Sequence, residues 1–315
     1  MQIMKKILFI SPGPKMKIKN ERSIILSKHY KGAILTTSSK KEIIDTKEVC
    51  GFEFRCMHYT YKHHYFSGIK FFMFCILFSI KARLDNNTFD LVTTYDPLKT
   101  GLIGYVCSRI LRAKFAPEVA GTYTSKYNYI DESFIAGRLK HKIYPLIMRF
   151  LFKRADGIKY QYPSHLDNFK PLLENKILSY FPNLYNHGNF TNMPEEKVVL
   201  VVGFPFRRKG IDIAIEAFKL IAPNHPEWKL KILGWYPNKN LLESYIGGHP
   251  QIIYHPPVEP DEMPEQVGRC AILIVPSRSE GVPRILMEAM SAGKARIGTD
   301  IEGIPSIISV RLNLK

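Results

Sequence analysis

Ala271-Ile-Leu-Ile-Val275, Pro276-Ser-Arg-Ser-Glu280, Gly281-Val-Pro-Arg-Ile-Leu-Met-Glu288 and Ala289-Met-Ser-Ala-Gly293 form one continuous stretch, and its reading decides the fold. The first five residues are an unbroken apolar run, as in a buried strand. A Pro-Ser turn follows. Pro283 suits the first turn of a helix, where its missing N–H costs nothing, and Gly293 suits the stop just past the helix end. Two carboxylates stand in this unit. Glu280 lies in the turn, and Glu288 lies more than a turn inside the helix. Between them are free backbone N–H groups and the positive helix end, a ready anion site. A carboxylate among Leu286, Met287 and Ala289 needs a hydroxyl or cation partner if it is buried. A phosphate at the helix start and ribose hydroxyls at Glu288 would satisfy both features. The spacing fits a surface helix with one solvated Glu equally well.

The second half of the chain alternates strand and helix patterns around this unit. Strands are expected at 197–202, 229–233, 251–254, 271–275 and 295–298, and helices at 210–222, 238–246 and 283–292. Val198-Val-Leu-Val-Val-Gly203 runs into Phe204-Pro-Phe-Arg-Arg-Lys209-Gly210-Ile-Asp212. Gly203 permits close approach of backbone to a phosphate. Arg208 offers a planar fork and Lys209 a point charge, and both suit phosphate. Taken alone, Arg207-Arg-Lys209 also reads as a solvated basic turn.

Together the two motifs resemble the retaining glycosyltransferases of family four (glycosyl transferases group 1), which have the GT-B fold. The stretch from Glu280 to Glu288 resembles their Glu-x7-Glu signature, and the 198–212 stretch resembles their strand, glycine and Lys-Gly loop. The resemblance implies an α/β architecture of two Rossmann-like domains facing a cleft. The first would be an acceptor-binding domain, residues 1–182, and the second a nucleotide-sugar-binding domain, residues 183–315. It implies a hexosyltransferase-type activity that moves a sugar from a nucleotide-sugar, with retention, to a polysaccharide, lipopolysaccharide or lipid-linked acceptor. Glu280 would sit beside the donor sugar, and Glu288 would bind the ribose. The Gly203, Gly281 and Val282 backbone would meet the diphosphate, which Arg208 and Lys209 would neutralise. Relatives of this fold do not rely on a bound metal for that task, so neither a metal nor another cofactor is implied.

The chain departs from the family pattern in several places. Ser11-Pro-Gly-Pro-Lys-Met16 has only Gly13 where the family carries a glycine pair. Ala120-Gly121-Thr122 lacks the His that many relatives carry there. Phe204 stands where an Arg is common, and the Gly-Gly-x-Pro-Glu turn becomes Glu302-Gly303-Ile-Pro-Ser306. Relatives continue for several elements beyond that turn, whereas this chain stops at Lys315. The resemblance therefore implies an incomplete, C-terminally truncated second domain with exposed apolar surface. It leaves open a binding subunit or non-functional relative without activity, or a nucleotide-sugar epimerase of the same fold.

The first half also alternates. Strands are expected at Lys6–Ile10, Ala33–Thr36, Phe89–Thr94, Lys114–Val119 and Gly157–Gln161, and helices near 67–84, 98–112 and 138–155. Asp96, just before the second of these helices, reads as a helix-capping residue. Tyr180-Phe-Pro-Asn-Leu-Tyr-Asn-His-Gly-Asn-Phe-Thr-Asn192 is rich in turn formers and reads as the interdomain linker, with Pro182-Asn183 as its turn.

The 315 residues are enough for two α/β domains. The charge is uneven. Of the net +17, residues 1–190 carry +16 (30 Lys+Arg, 14 Asp+Glu) and residues 191–315 carry +1 (15 and 14). An anionic partner is therefore expected for the first half only, with nucleic acid, an anionic membrane or a phosphorylated lipid as candidates. In helix 138–155, Arg138, Lys140, Lys142, Arg149, Lys153 and Arg154 interleave with Ile143, Leu146, Ile147, Phe150 and Leu151, which suits an anionic membrane surface. A helix packed on the sheet with a solvated basic side fits the same pattern. No nucleic-acid motif accompanies the charge. Phe71–Phe78 is very apolar but, bounded by Lys70 and Lys81, is too short to span a bilayer. Five scattered cysteines read as reduced cytosolic thiols. The expected location is cytoplasmic, peripheral on the inner membrane face. Lys62-His-His-Tyr65 has no further ligand at metal spacing and reads as a solvated loop.

Overall fold

Apolar runs in the first half form a sheet clothed by helices. Strands β1 (Lys5–Ile10), β2 (Tyr30–Ser38), β3 (Thr46–Val49), β4 (Phe52–His58), β5 (Leu91–Thr94), β6 (Lys114–Val119), β7 (Gly157–Tyr160) and β8 (Ile177–Tyr180) are ordered β3-β4-β2-β1-β5-β6-β7-β8. All pairings are parallel except β3 with β4. Helices α1 (Glu21–Ser27), α2 (His64–Leu84), α3 (Lys99–Leu111) and α4 (Phe134–Arg154) connect them. This computed structural model describes residues 4–11, 21–38, 46–49, 51–59, 64–180 and 188–308. Gly13, Cys50, Lys62 and His63, the Pro182-Asn183 turn and residues 310–315 lie outside the described residues.

The chain divides into two compact units, residues 1–120 with 143–184 and residues 121–142 with 185–315. The segment 121–142 thus groups with the C-terminal unit, although it precedes the expected linker in sequence. In the first unit, Leu8, Ile10, Leu35 and Val92 pack with Phe71 and Cys75 of α2 and Ile103 and Cys107 of α3. On the other sheet face, Ile34, Phe52 and Phe54 form a smaller cluster. Asp96 acts at the start of α3. Its Oδ1 accepts from the Leu98 N–H at 2.8 Å and its Oδ2 from the Thr100 hydroxyl at 2.7 Å. Among the described residues no helix is long and apolar enough to cross a membrane.

The second unit is built from β9 (Glu196–Val202), α5 (Ile211–Ile221), β10 (Lys229–Leu233), α6 (Lys239–Ile246), β11 (Ile252–His255), α7 (Met263–Arg269), β12 (Cys270–Val275), α8 (Arg284–Ser291) and β13 (Ala295–Gly298). Its parallel sheet has the order β11-β10-β9-β12-β13. Alternation along β9 sends Val199 and Val201 to the core beneath α5 and α6, and Leu200 to the core beneath α7 and α8. On the α5 side, Val199, Ile213, Ile272, Ile274 and Ile297 also line an open hollow of ≈ 390 Å³. Buried Lys294 ties the unit's start to β13, donating to Asn192 Oδ1 at 2.9 Å and the Met193 carbonyl at 3.1 Å.

The expected helices and strands are present with ends shifted by a few residues. Strands β3, β4 and β8 and helices α1 and α7 were not expected. In β4, Phe52, Phe54 and Cys56 alternate with polar residues and are buried, but β3 and β4 complete the edge of the sheet rather than the strand-helix alternation. All four residues of β8 are exposed, so its sequence carries no burial pattern.

His165, 2 % exposed, follows β7. Burial pushes its imidazole down to about 4, against a smaller upward pull from the Val119 backbone. The unfolded chain therefore takes up this proton first as pH falls from its ordinary 6.5. Stability is full above that value and declines towards pH 4, by ~2 kcal/mol between pH 7 and 5. Urea midpoints at those two pH values measure the loss, and His165→Gln should flatten it. An equal slope in the variant would contradict the assignment.

Candidate functional site

In a sheet of order 3-2-1-4-5, the strand order reverses between the first and fourth strands, here β9 and β12. Ligands of such sheets bind beyond the carboxyl ends of the strands at this point. Both sequence motifs emerge there. The Gly203–Gly210 loop follows β9, and the Pro276–Pro283 loop follows β12.

The two loops are locked together. Gly210 has φ +69°, and a Cβ on it would lie 1.9 Å from the Pro276 carbonyl oxygen. The Arg278 N–H donates to the Arg208 carbonyl at 2.8 Å. The Arg278 guanidinium grips Asp212 of α5 with two bonds, 2.7 and 2.9 Å, and its Nη1 also donates to the Arg207 carbonyl at 2.6 Å. Such a planar fork fixes direction as well as distance. Gly203, φ +146°, lies against the aliphatic stem of Lys209, 3.0 Å from where its own Cβ would be.

On this frame Lys209 Nζ forms an ion pair with Glu280, and both side chains are largely buried. The Ser277 hydroxyl reaches the same Glu280 oxygen at 3.5 Å. Arg208 is half-buried, and its shielded Nε has no hydrogen-bond partner among the described residues. The N–H groups of Gly281 and Val282, just before α8, donate to nothing among the described residues. Glu288 sits in the second turn of α8, half-buried, between Leu286 and Ala289 of the core. Burial holds its carboxyl above the usual range, against the opposing charge of Arg284. The site therefore offers a paired cation, a second cation with an unsatisfied N–H, free amides at a helix start, and a half-buried carboxylate. These fit an anion flanked by hydroxyl donors.

Sequence reading placed Lys209 and Glu280 at one site but did not anticipate their mutual contact. It also missed three carboxylates. Glu302 Oε2 accepts the Glu280 N–H at 2.7 Å and its Oε1 the Ser279 hydroxyl at 3.2 Å. Burial holds the Glu302 carboxyl above its ordinary range, against those hydrogen bonds. Glu302 has φ +46°, where the family turn has glycine, so the departure noted in sequence was the available signal. Asp131 accepts the Arg207 and Arg208 N–H groups, each at 2.8 Å. Asp212 is the third.

Residues 187–311 match the family model described as Glycosyl transferases group 1. An exopolysaccharide phosphotransferase of Streptomyces coelicolor is 35% identical over 105 residues, 32% of this chain and 11% of that protein. A sulfoquinovosyl transferase of Arabidopsis thaliana is 30% identical over 115 residues, 36% of this chain and 22% of that protein. The chain thus matches well under half the length of these curated relatives. Sucrose-phosphate synthase from Thermosynechococcus elongatus superposes with a TM-score of 0.71 at 14% identity, over 95% of this chain and 82% of that one. The α/β fold with its parallel sheets matches that of GT-B glycosyltransferase structures.

Gly210→Ala should destabilise the protein by about 3 kcal/mol, since it adds a backbone clash to an unfavourable φ. Gly248 has nearly the same φ, +68°, with nothing within 4 Å of its Cβ position. Gly248→Ala should cost only ~1 kcal/mol. Urea unfolding of both variants isolates the loop contact, and equal losses would refute it.

Proposed function

We propose that this protein is a retaining, hexosyltransferase-type glycosyltransferase. It moves a sugar from a nucleotide-sugar to a polysaccharide, lipopolysaccharide or lipid-linked acceptor at the cytoplasmic face of a membrane. The observation that carries this reading is the Lys209–Glu280 pair beside Arg208 and the free Gly281 and Val282 amides, in a segment that matches a glycosyltransferase family. The names of the two curated relatives, one acting on exopolysaccharide and one transferring a sulfoquinovosyl group, support the acceptor and donor classes.

In this mechanism the donor diphosphate takes Lys209 from Glu280, meets Arg208 and rests on the amides before α8. As the bond from the anomeric carbon to the diphosphate breaks, negative charge grows on the leaving oxygen. Fixed cations and N–H dipoles stabilise that charge more than they stabilise the ground state. Glu280, released from Lys209, accepts hydroxyl hydrogen bonds from the donor sugar and orients it. Glu288 accepts the ribose hydroxyls, which satisfies a carboxylate that burial disfavours. The leaving phosphate takes the proton of the acceptor hydroxyl, whose oxygen bonds the anomeric carbon on the face that the phosphate leaves, so configuration is retained and no protein nucleophile is required. Charge neutralisation falls to Arg208, Lys209 and α8 rather than to a metal.

Phe204 and Trp235 follow β9 and β10, with ring centroids 4.9 Å apart, and both are exposed. They support a stacking surface for the nucleobase. Calorimetric titration with uridine and guanosine diphosphates reads binding in wild type and variant alike. The second unit's nucleotide site should lose about tenfold in affinity on Trp235→Ala.

Helix α4 supports the membrane association. Ile135, Leu139, Ile143, Leu146 and Phe150 recur on one face and are exposed, with Lys142, Arg149 and Lys153 beside them. Reversing those three charges to Glu should abolish sedimentation with vesicles containing 30% phosphatidylglycerol, at a cost of about 1 kcal/mol per lost cation.

The direct test of activity is sugar transfer from a panel of nucleotide-sugars to membrane acceptors. Lys209→Ala and Glu280→Ala should each lower kcat by at least ~100-fold. If wild type and both variants are equally inert across the panel, the chain is a binding subunit rather than a transferase.

A further inference from the structure

The first unit holds a pocket of ≈ 600 Å³ at the carboxyl edge of its sheet, between α2 and α3. Thr37 of β2, Gly68, Ile69 and Phe72 of α2, and Lys99 and Leu102 of α3 are among its walls. Its size falls in the ordinary range for ligand sites. The lining is mostly apolar, which suits neither a sugar nor a nucleotide. Lys99 is its one charged residue among the described residues. Lys99 is exposed and makes no ion pair among the described residues.

A second observation bears on the occupant. On α2, Ile69, Met73, Leu77, Ile80 and Leu84 recur at helical spacing on the face opposite the core, and each is between 41% and 75% exposed. Ile69 belongs both to this stripe and to the pocket wall. The pocket therefore opens onto a solvent-facing apolar face, so a hydrocarbon chain could pass from one to the other without crossing water. An apolar hollow whose edge carries, among the described residues, one cation without an ion pair is complementary to an amphiphile with an anionic head.

We infer that this pocket takes a hydrocarbon chain of a phosphate-bearing lipid, with the phosphate held at Lys99. The inference rests on the transferase reading only in naming that lipid as the anchor of the acceptor. Chain burial in the pocket supplies affinity through apolar area removed from water, and Lys99 selects the charged head.

Gly68 makes the test clean. It lines the pocket, and no atom lies within 4 Å of where its Cβ would be. A Cβ there meets open space at the pocket wall, so a large side chain can be introduced at that wall, and it replaces a poor helix former. Dodecyl phosphate, below its micelle concentration, is titrated calorimetrically into the full chain, with dodecanol and glycerol 3-phosphate as controls. Wild type should bind dodecyl phosphate saturably at one site and should not bind glycerol 3-phosphate. Gly68→Trp should weaken binding by at least about tenfold, with its thermal midpoint unchanged or raised. Lys99→Ala should weaken binding of dodecyl phosphate several-fold and leave dodecanol unaffected. Absence of saturable binding by wild type, or equal binding by Gly68→Trp, would overturn the inference. A lowered midpoint in Gly68→Trp together with no wild-type binding would mean that a segment of the chain fills the pocket, and would also overturn it. The two readings fail separately. Lipid uptake without sugar transfer would sink the transferase, while transfer to lipid-linked acceptors undiminished in Gly68→Trp would sink the pocket.

Discussion

The backbone of Gly210 lies against the Pro276 carbonyl too closely for any side chain, and the arrangement of the candidate site depends on that contact. It brings the loop after β9 onto the loop after β12, at the point where the sheet order reverses. The Arg278–Asp212 fork then holds the two loops in register. Arg208 and Lys209 come from one loop, while Glu280 and the free amides come from the other. Neither loop alone sets cations beside the amides and Glu280.

The same packing explains the electrostatic state of the site. Removing a charge from water is costly unless a partner accompanies it. Lys209 and Glu280 are both largely buried, and each is the other's partner. A diphosphate offers Lys209 a stronger anion and frees Glu280 for hydroxyl donors. The ligand thus exchanges partners rather than creating new buried charge. Glu302 adds constraint. It holds the Glu280 amide from a left-handed backbone conformation that a non-glycine residue adopts at a cost of ~1 kcal/mol. Strain of this kind persists where surrounding contacts over-determine the geometry.

Much of the second unit was legible in sequence because its strands are continuous apolar runs and its loops carry punctuating glycines. Val198–Val202 and Ala271–Val275 could be read without knowing their neighbours. Glu280 and Glu288 could be placed relative to one helix start, since capping rules act over a few residues. Contacts between distant residues were not legible in this way. Lys209 and Glu280 are 71 positions apart, and nothing in either local pattern requires them to touch. Asp131 reaches Arg207 and Arg208 from a segment that reads as part of the first half, because backbone N–H groups donate to any carboxylate that tertiary packing delivers. Edge strand β8 left no pattern, since it buries no face. The apolar stripe of α2 was hidden within a helix that is apolar on both its buried and its exposed sides, and periodicity does not separate those two.

The central claim is that a nucleoside diphosphate binds where the two loops of the second unit meet. Amide chemical-shift mapping with uridine and guanosine diphosphates tests this most directly. The account predicts that the largest shifts fall on Gly281, Val282 and the Arg208–Lys209 loop, and that they vanish in Lys209→Ala while the spectrum otherwise stays that of the folded protein. Saturable binding that leaves these amides unmoved and shifts another surface instead would contradict it.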